Sequence, residues 1–167
     1  MGGNEVSPMP ATETTGELRA RLYVRETLPK PAKRCSQTII ARLERLAADG
    51  VLGEYSVTSW AKRLPIDGTE HPDQRARYNE FSQWARHNGV RLTPFFDTRE
   101  CYSMQTGKKR QELVFPAICL AVYAGDDLQT VAPHARESAT ESVTDCLERL
   151  SDQPPEEAVH QTTLTAD

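Results

Sequence analysis

Residues 34–57 constrain the fold more than any other stretch, because they change from a helical to a strand pattern across one stop signal. Large apolar residues recur at the spacing of one helix face and predict a helix over residues 33–48: Ile39, Leu43 and Leu46. Asp49-Gly50 favours a left-handed helix end, and residues 54–61 then alternate with the period of a strand. A helix that leads directly into a strand has to pack its apolar face against a sheet.

Strand and helix patterns continue on both sides of this stretch. Residues 18–25 alternate apolar side chains with arginine and tyrosine, which predicts a first strand with one buried face. A second helix is predicted over residues 72–88, because Asn88-Gly89 repeats the same kind of stop signal. Val90–Phe96 is then predicted to be the third strand.

The most apolar segment is ELVFPAICLAVY at residues 112–123, which predicts a central strand buried on both faces with a bulge at Pro116. A basic turn at residues 106–110 precedes it as a hairpin tip. Ser138 and Glu141 have the spacing of a capping box and predict the start of a last helix. The order is β-α-β-α-β-β-β-α, an α+β fold in which helices pack on a mixed β-sheet.

The length of 167 residues suits one domain, which we place at residues 18–152. Residues 1–17 and 153–167 are polar and acidic, and we expect both to be flexible acidic tails. The sequence shows neither a signal-peptide pattern nor an apolar run of membrane length. We therefore expect a cytoplasmic protein without membrane contact.

Positive and negative charges are unevenly distributed along the chain. Residues 19–45 contain 8 basic and 2 acidic side chains, and residues 62–110 contain 10 and 6. Residues 111–152 contain 2 basic and 8 acidic side chains, and the two tails contain 6 acids and no base. Such asymmetry allows a polyanion to bind the basic side, but it equally allows self-association or masking of that side within the molecule.

A basic strip on the first helix is the leading candidate site. Its members follow one another at spacings of four, four and three residues and so share one side of the helix: Arg34, Thr38, Arg42 and Arg45. Guanidinium groups there could reach phosphates and base edges of DNA, and the hairpin tip could clamp a phosphate through Lys108, Lys109 and Arg110. The alternative is a solvated helix face and a turn kept soluble by its lysines.

The segment SQTIIARLERLAADGVLGEYSV resembles the recognition helix and following strand of the feast/famine (leucine-responsive) transcription regulators. The residues that carry the resemblance are Arg42, Leu46, Asp49, Gly50, Val51 and Tyr55. Most of residues 18–150 is similar to a family of small haloarchaeal proteins labelled helix-turn-helix domain proteins, through LYVRE, GVLGEYSVTSWAKRL, FSQWARHNGVRLTPFF and LVFPAICLAVYAGDDLQTVAPH. The first resemblance implies a DNA-binding transcription regulator, and the second implies DNA binding.

Residues able to form a catalytic or metal site are scattered along the sequence. The four cysteines show no CxxC spacing, no familiar catalytic motif is present, and the histidines stand apart: His71, His87, His134 and His160. We predict no enzyme activity, no cofactor, no metal and reduced thiols, with the aromatic residues in the core and His134 in a surface loop. The alternative is a Cys101 or Cys119 nucleophile brought close to His87 or His134 by the fold.

We therefore predict a non-enzymatic regulator that binds DNA as a homodimer, because one short helix supplies little specificity alone. Electrostatic capture would use Arg19, Arg21, Arg25, Lys33 and Arg34, and reading would use Thr38, Arg42 and Arg45. The alternative is a sheet-based ligand-binding or oligomerisation module without DNA contact. It would be favoured if the strand ahead of Arg34 pairs within the main sheet, or if the acidic C-terminal helix covers the basic strip.

Overall fold

The computed structural model describes residues 18–102 and 104–152, so both predicted tails lie outside the described residues. The elements follow in the order β1 (Leu18–Arg25), α1 (Lys30–Ala48), β2 (Leu52–Trp60), β3 (Arg63–Pro65), α2 (Pro72–Asn88), β4 (Asp97–Tyr102), β5 (Lys109–Val114), β6 (Ile118–Ala124), β7 (Asp127–Ala132), β8 (His134–Ala135), β9 (Thr140–Glu141) and α3 (Val143–Asp152). This mixture of helices and mixed sheets confirms the predicted α+β fold.

Four strands form the main sheet, here called sheet I, in the order β2-β1-β6-β7. Strand β1 pairs with β2 in parallel and with β6 antiparallel, so the sheet is mixed as predicted. Parallel neighbours need a long crossover connection, and α1 supplies it between β1 and β2. The helix is thereby placed across one face of sheet I.

Sheet I is covered on both faces, and this divides the core into two layers. Ala20 and Leu120 face the first layer, where they pack with α1 and α3. Tyr23 and Cys119 face the second layer, which contains α2 and a three-stranded sheet II of order β3-β5-β4. Successive residues of β6 enter opposite layers, and for this reason the strand is apolar at nearly every position.

Aromatic side chains fill the second layer, as predicted for Trp60, Trp84, Phe95 and Phe96, whereas the same prediction is wrong for Tyr102, which is exposed at the end of β4. The Trp60 ring stacks on Tyr23 with ring centroids 4.8 Å apart, and it also contacts Phe115 at 4.9 Å. Phe81 and Phe96 complete the cluster and are almost fully buried. Because Trp60 ends β2 and Phe115 links β5 to β6, the cluster ties sheet II to sheet I.

Both long helices end at the predicted stops. Gly50 follows α1 with φ 85°, and Gly89 caps α2 with φ 66°, conformations that glycine adopts without strain. Helix α1 begins at Lys30, three residues earlier than predicted, and includes Pro31 in its first turn. A proline is tolerated there because the first-turn N–H groups have no partner within a helix.

The predictions for two strands are wrong. Val90–Phe96 is a turn with a single bridge at Arg91, and β4 begins only at Asp97. The predicted central strand at residues 112–123 is split at Pro116 into β5 and β6, which belong to different sheets. Proline has no N–H to donate to a strand ladder, so the chain changes sheets there instead of bulging.

The predicted start of the last helix was also wrong. Helix α3 begins at Val143, and its capping box is formed by Ser142, whose Oγ accepts a hydrogen bond from the Asp145 N–H at 3.0 Å. Ser138 lies in the preceding loop, because Thr140–Glu141 pairs as β9 with β8. His134 belongs to β8 and is fully buried beside Trp84, so its assignment to a surface loop was wrong as well.

Replacing Leu43 with alanine should lower the free energy of unfolding by about 2–5 kcal/mol, because its fully buried side chain packs α1 on sheet I and alanine would leave a cavity. Urea denaturation followed by circular dichroism measures the change. The neighbouring exposed residue supplies the control, since Glu44→Ala should change stability by less than about 0.5 kcal/mol. Equal effects of both substitutions would contradict this packing of α1.

Candidate functional site

The basic strip of α1 lies on the open side of the helix. Ile39, Leu43 and Leu46 face sheet I, and this fixes which side of α1 points away from the core. Arg34 and Arg45 are exposed, as is Thr38, and Arg42 is half-buried at the edge of the strip. The structure therefore brings all four predicted residues together on one side of the helix.

A groove of about 450 Å³ runs between the strip and the end of α3. Thr38, Arg42 and Arg45 form one wall, Ser151 of α3 lies opposite, and Asp49 lines one part. Helix α3 carries acidic side chains, but none of those in the described part of the chain forms an ion pair with the strip. The acidic helix lies beside the basic strip and leaves it open.

Cations along α1 have no charged partner within residues 18–102 and 104–152. The side chains in question form no ion pair or hydrogen bond with a described residue: Lys30, Lys33, Arg34, Arg42 and Arg45. Most arginines of the strands and of the other helices form an ion pair or a hydrogen bond. One example is Arg77, which lies 2.5 Å from Glu80. Uncompensated positive charge is therefore concentrated along one helix.

The segment ahead of α1 is the central strand of sheet I. Strand β1 is hydrogen-bonded on both sides, to β2 and to β6. In the part of the chain that the structure describes, a strand separates each helix from the next. Helix α1 is thus not the second member of two helices joined by a turn, and it lies flat on a sheet.

The predicted hairpin clamp is placed away from the strip. Lys108, Lys109 and Arg110 belong to the β4–β5 hairpin of sheet II, in the layer on the opposite face of sheet I from α1. Lys109 lies 3.9 Å from Glu100 and over the Tyr102 ring, and Arg110 lies 3.1 Å from Glu112. The structure does not bring strip and hairpin together.

The arginines predicted for electrostatic capture are engaged within β1 and its neighbours. Arg19 donates a hydrogen bond to the Gly125 carbonyl at 2.7 Å, and Arg21 lies over the Tyr123 ring. Arg25 donates two hydrogen bonds to the Phe115 carbonyl, at 3.0 and 2.6 Å. These side chains stabilise sheet I, whereas Lys33 and Arg34 remain available for capture.

Sequence patterns missed a second concentration of cations. Arg63, Arg99 and Arg110, from β3, β4 and β5, share the outer face of sheet II with Glu112 and Cys101. Arg25 lies near these arginines. Burial lowers the pKa of its guanidinium, and the positive charges of Arg63 and Arg99 lower it further. Only the strand register reveals this arginine face, because its members lie far apart in the chain.

Glu112 is the buried centre of this face. Its carboxylate accepts hydrogen bonds from the Cys101 thiol at 3.2 Å and from Arg110 at 3.1 Å, and Arg63 lies 3.5 Å away. The thiol hydrogen bond, more than the two arginines, lowers the pKa of Glu112 despite its burial. The same hydrogen bond raises the pKa of Cys101, so this thiol is a poor nucleophile at neutral pH.

The alternative catalytic pairs, Cys101 or Cys119 with His87 or His134, are not formed. Burial raises the pKa of Cys119 well above its usual value, Cys101 is bonded to Glu112, and His87 is bonded to the Gln83 carbonyl on the exposed side of α2. Within the described residues, no three His, Cys, Asp or Glu side chains are grouped to hold a metal ion. No described helix is long and apolar enough to cross a membrane.

A second cleft, of about 490 Å³, lies on the other face of sheet I, where β1 and β2 meet the start of α2. Arg21, Arg77 and His71 line it together with the stacked rings of Tyr23 and Trp60. Arg77 is paired with Glu80, whereas Arg21 has no carboxylate partner among the described residues. The cleft could accept a small anionic ligand.

A family model described as a helix-turn-helix domain matches residues 12–155, which is most of the chain. No curated protein and no solved structure matches it.

Glu112→Gln should speed alkylation of Cys101 by iodoacetamide severalfold near pH 8. Removing the carboxylate removes the main cause of the raised pKa of Cys101, so a larger fraction of the thiol is ionised at a given pH. Peptide mass spectrometry over a time course measures the rate, with the exposed Cys35 as an internal control that should not change. Equal Cys101 rates in both proteins would show that Glu112 does not control this thiol.

Proposed function

This chain belongs to the helix-turn-helix domain family, and we propose that it is a non-enzymatic, cytoplasmic transcription regulator that binds DNA through α1. The family match supports DNA binding in general terms. The narrower resemblances, to haloarchaeal members and to feast/famine regulators, are part of this proposal and rest on the sequence segments that carry them.

The observation that carries the proposal is the row of unpaired cations on α1. A protein that neutralises phosphates with lysine and arginine releases counterions from DNA, and this release supplies much of the binding free energy. Cations already bound to carboxylates contribute less, because DNA would have to displace their partners. Lys33, Arg34 and Arg45 are exposed and free of such partners among the described residues.

We assign positioning to the start of α1 and reading to its middle. Lys33 and Arg34 would hold phosphates, while Thr38, Arg42 and Arg45 would face base edges in the major groove. Exposed Gln37 and Ala41 lie between them and leave room for close approach of the duplex. The helix would be presented by the sheet beneath it, in place of the supporting helix of a two-helix unit.

A homodimer fits this scheme, since one helix of this length reads few base pairs. Strand β2 supports it, because it is an edge strand of sheet I and its outer side pairs with no other described strand. Its nine residues could pair with the same strand of a second copy and place two α1 helices on one extended sheet.

A second candidate function is a ligand-binding or oligomerisation module without DNA contact. Two observations favour it: β1 pairs within the main sheet ahead of α1, and the cleft around Arg21 could hold a small anion. In this case the basic strip would be a solvated helix face.

Changing both Arg42 and Arg45 to alanine should weaken DNA binding by about tenfold or more, because a good contact to a base edge contributes about 1–3 kcal/mol. The salt dependence of log K should change less than the affinity, because it reports phosphate contacts, which the proposal assigns to Lys33 and Arg34. Fluorescence anisotropy titrations of a labelled duplex at two salt concentrations measure both quantities. The reason is the loss of two unpaired guanidinium groups from the strip.

The charge-matched control is the double substitution Arg86→Ala and Arg136→Ala, which removes two exposed arginines from outside α1. It should leave both the affinity and the salt dependence of log K close to the wild-type values. Equal binding by the α1 variant and the wild-type protein would refute the role of α1, and absence of binding at every salt concentration would favour the module.

A further inference from the structure

The outer face of sheet II gathers arginines from four separate parts of the chain. Arg63, Arg99 and Arg110 project from three neighbouring strands, and Arg25 reaches the same region from the end of β1. Arg99 faces Glu112 across the β4–β5 pair, and Cys101 faces Arg110 two residues further along β4. The arginine face named above therefore has Glu112 at its centre and Arg25 at its edge.

Positive charge on this face exceeds the local negative charge. Of its four guanidinium groups, those of Arg63, Arg99 and Arg110 share two carboxylates, Glu112 and Asp97. Two of these three contacts are long, since Arg63 lies 3.5 Å from Glu112 and Arg99 lies 4.0 Å from Asp97, whereas Arg110 lies 3.1 Å from Glu112. Arg25 has no carboxylate partner among the described residues and binds a backbone carbonyl instead.

A purely structural network would match its charges more closely. One arginine would be enough to compensate the buried Glu112, and further cations placed nearby repel one another. That repulsion is visible in the pKa of Arg25, which burial lowers first and Arg63 and Arg99 lower further. An anion placed among the arginines would remove this cost.

We propose that the arginine face binds the phosphate backbone of nucleic acid as a second contact surface, separate from α1. The inference rests on the proposed DNA-binding function but uses different residues. The side chains of Arg63 and Arg99 are 43% and 65% exposed, so a phosphate can reach them. The neighbouring hairpin adds Lys108, which is exposed. Strands are known to present such side chains to DNA.

The position of the face determines what it can contact. Helix α1 and sheet II lie on opposite sides of sheet I, so a straight duplex on one surface cannot reach the other. The arginine face would therefore hold a second segment of nucleic acid, or the far part of a bent one. Glu112 limits the affinity, because it competes with phosphate for Arg63 and Arg110.

Two substitutions with opposite expected effects test this proposal in the full chain. Glu112→Gln removes the competing carboxylate and should raise the salt dependence of log K for a duplex of about 20 bp by up to about 0.9 and tighten binding at low salt. Arg99→Gln removes one exposed guanidinium and should lower the salt dependence by about 0.9. Arg86→Gln, an exposed arginine of α2, is the matched control and should change neither quantity.

The variants of the arginine face and of α1 give different binding results, so the two proposals can be tested separately. Wild-type salt dependence in both Glu112→Gln and Arg99→Gln, with loss of binding in the Arg42 and Arg45 double variant, overturns the arginine face and leaves α1 as the DNA surface. If Glu112→Gln and Arg99→Gln change the salt dependence as expected while the Arg42 and Arg45 double variant binds like the wild-type protein, the arginine face is supported and α1 is refuted. A protein that binds no duplex at any salt concentration overturns both. Thermal melts of each variant distinguish altered binding from altered folding, since a structural role alone would change only the melting temperature.

Discussion

The pairing of β1 with β6 at the centre of sheet I is the constraint on which the rest of the structure depends. Both strands are covered on two faces, so Cys119–Tyr123 of β6 and the apolar residues of β1 each have to suit one of two apolar layers. The layer under Leu22 and Leu120 requires the apolar stripe of α1, and this turns the opposite, basic side of the helix outward. The exposure of Arg34 and Arg45 is thus a consequence of how the core is divided.

Charge compensation differs between the sheets and α1 for a geometric reason. On one face of a sheet, side chains meet across strands and also two positions apart along a strand, so Arg63 of β3 and Arg110 of β5 both contact Glu112. On a helix, the neighbours lie three and four positions away, and along the strip they are Arg34, Thr38, Arg42 and Arg45. The strip cannot neutralise itself, and α3 does not do so from the side. Uncompensated charge therefore stays where a single helix presents it.

Local patterns predicted what local physics determines. The period of Ile39, Leu43 and Leu46 and the glycine stops predict where α1 and α2 end and place the start of α1 within three residues, because both signals act within a few positions. The strand at Val90–Phe96 and the continuous strand through Pro116 were wrong, since pairing partners elsewhere in the chain decide them. The strip could be read from helical spacing alone. The arginine face and the burial of His134 could not, because both arise from strand register and packing between distant segments.

The placement of β1 also governs the order in which the molecule can be assembled during synthesis. Leu22 of β1 pairs with Leu120 of β6, so the first described strand stays without its antiparallel partner until all residues through β6 have been made. The parallel neighbour β2 becomes available earlier, but a βαβ unit alone leaves one edge of β1 and one apolar face open to water. A nascent chain would therefore keep β1 and α1 in a loosely packed state until β6 leaves the ribosome. Closure of the core then orders both layers, and with them both basic surfaces, in a single late step.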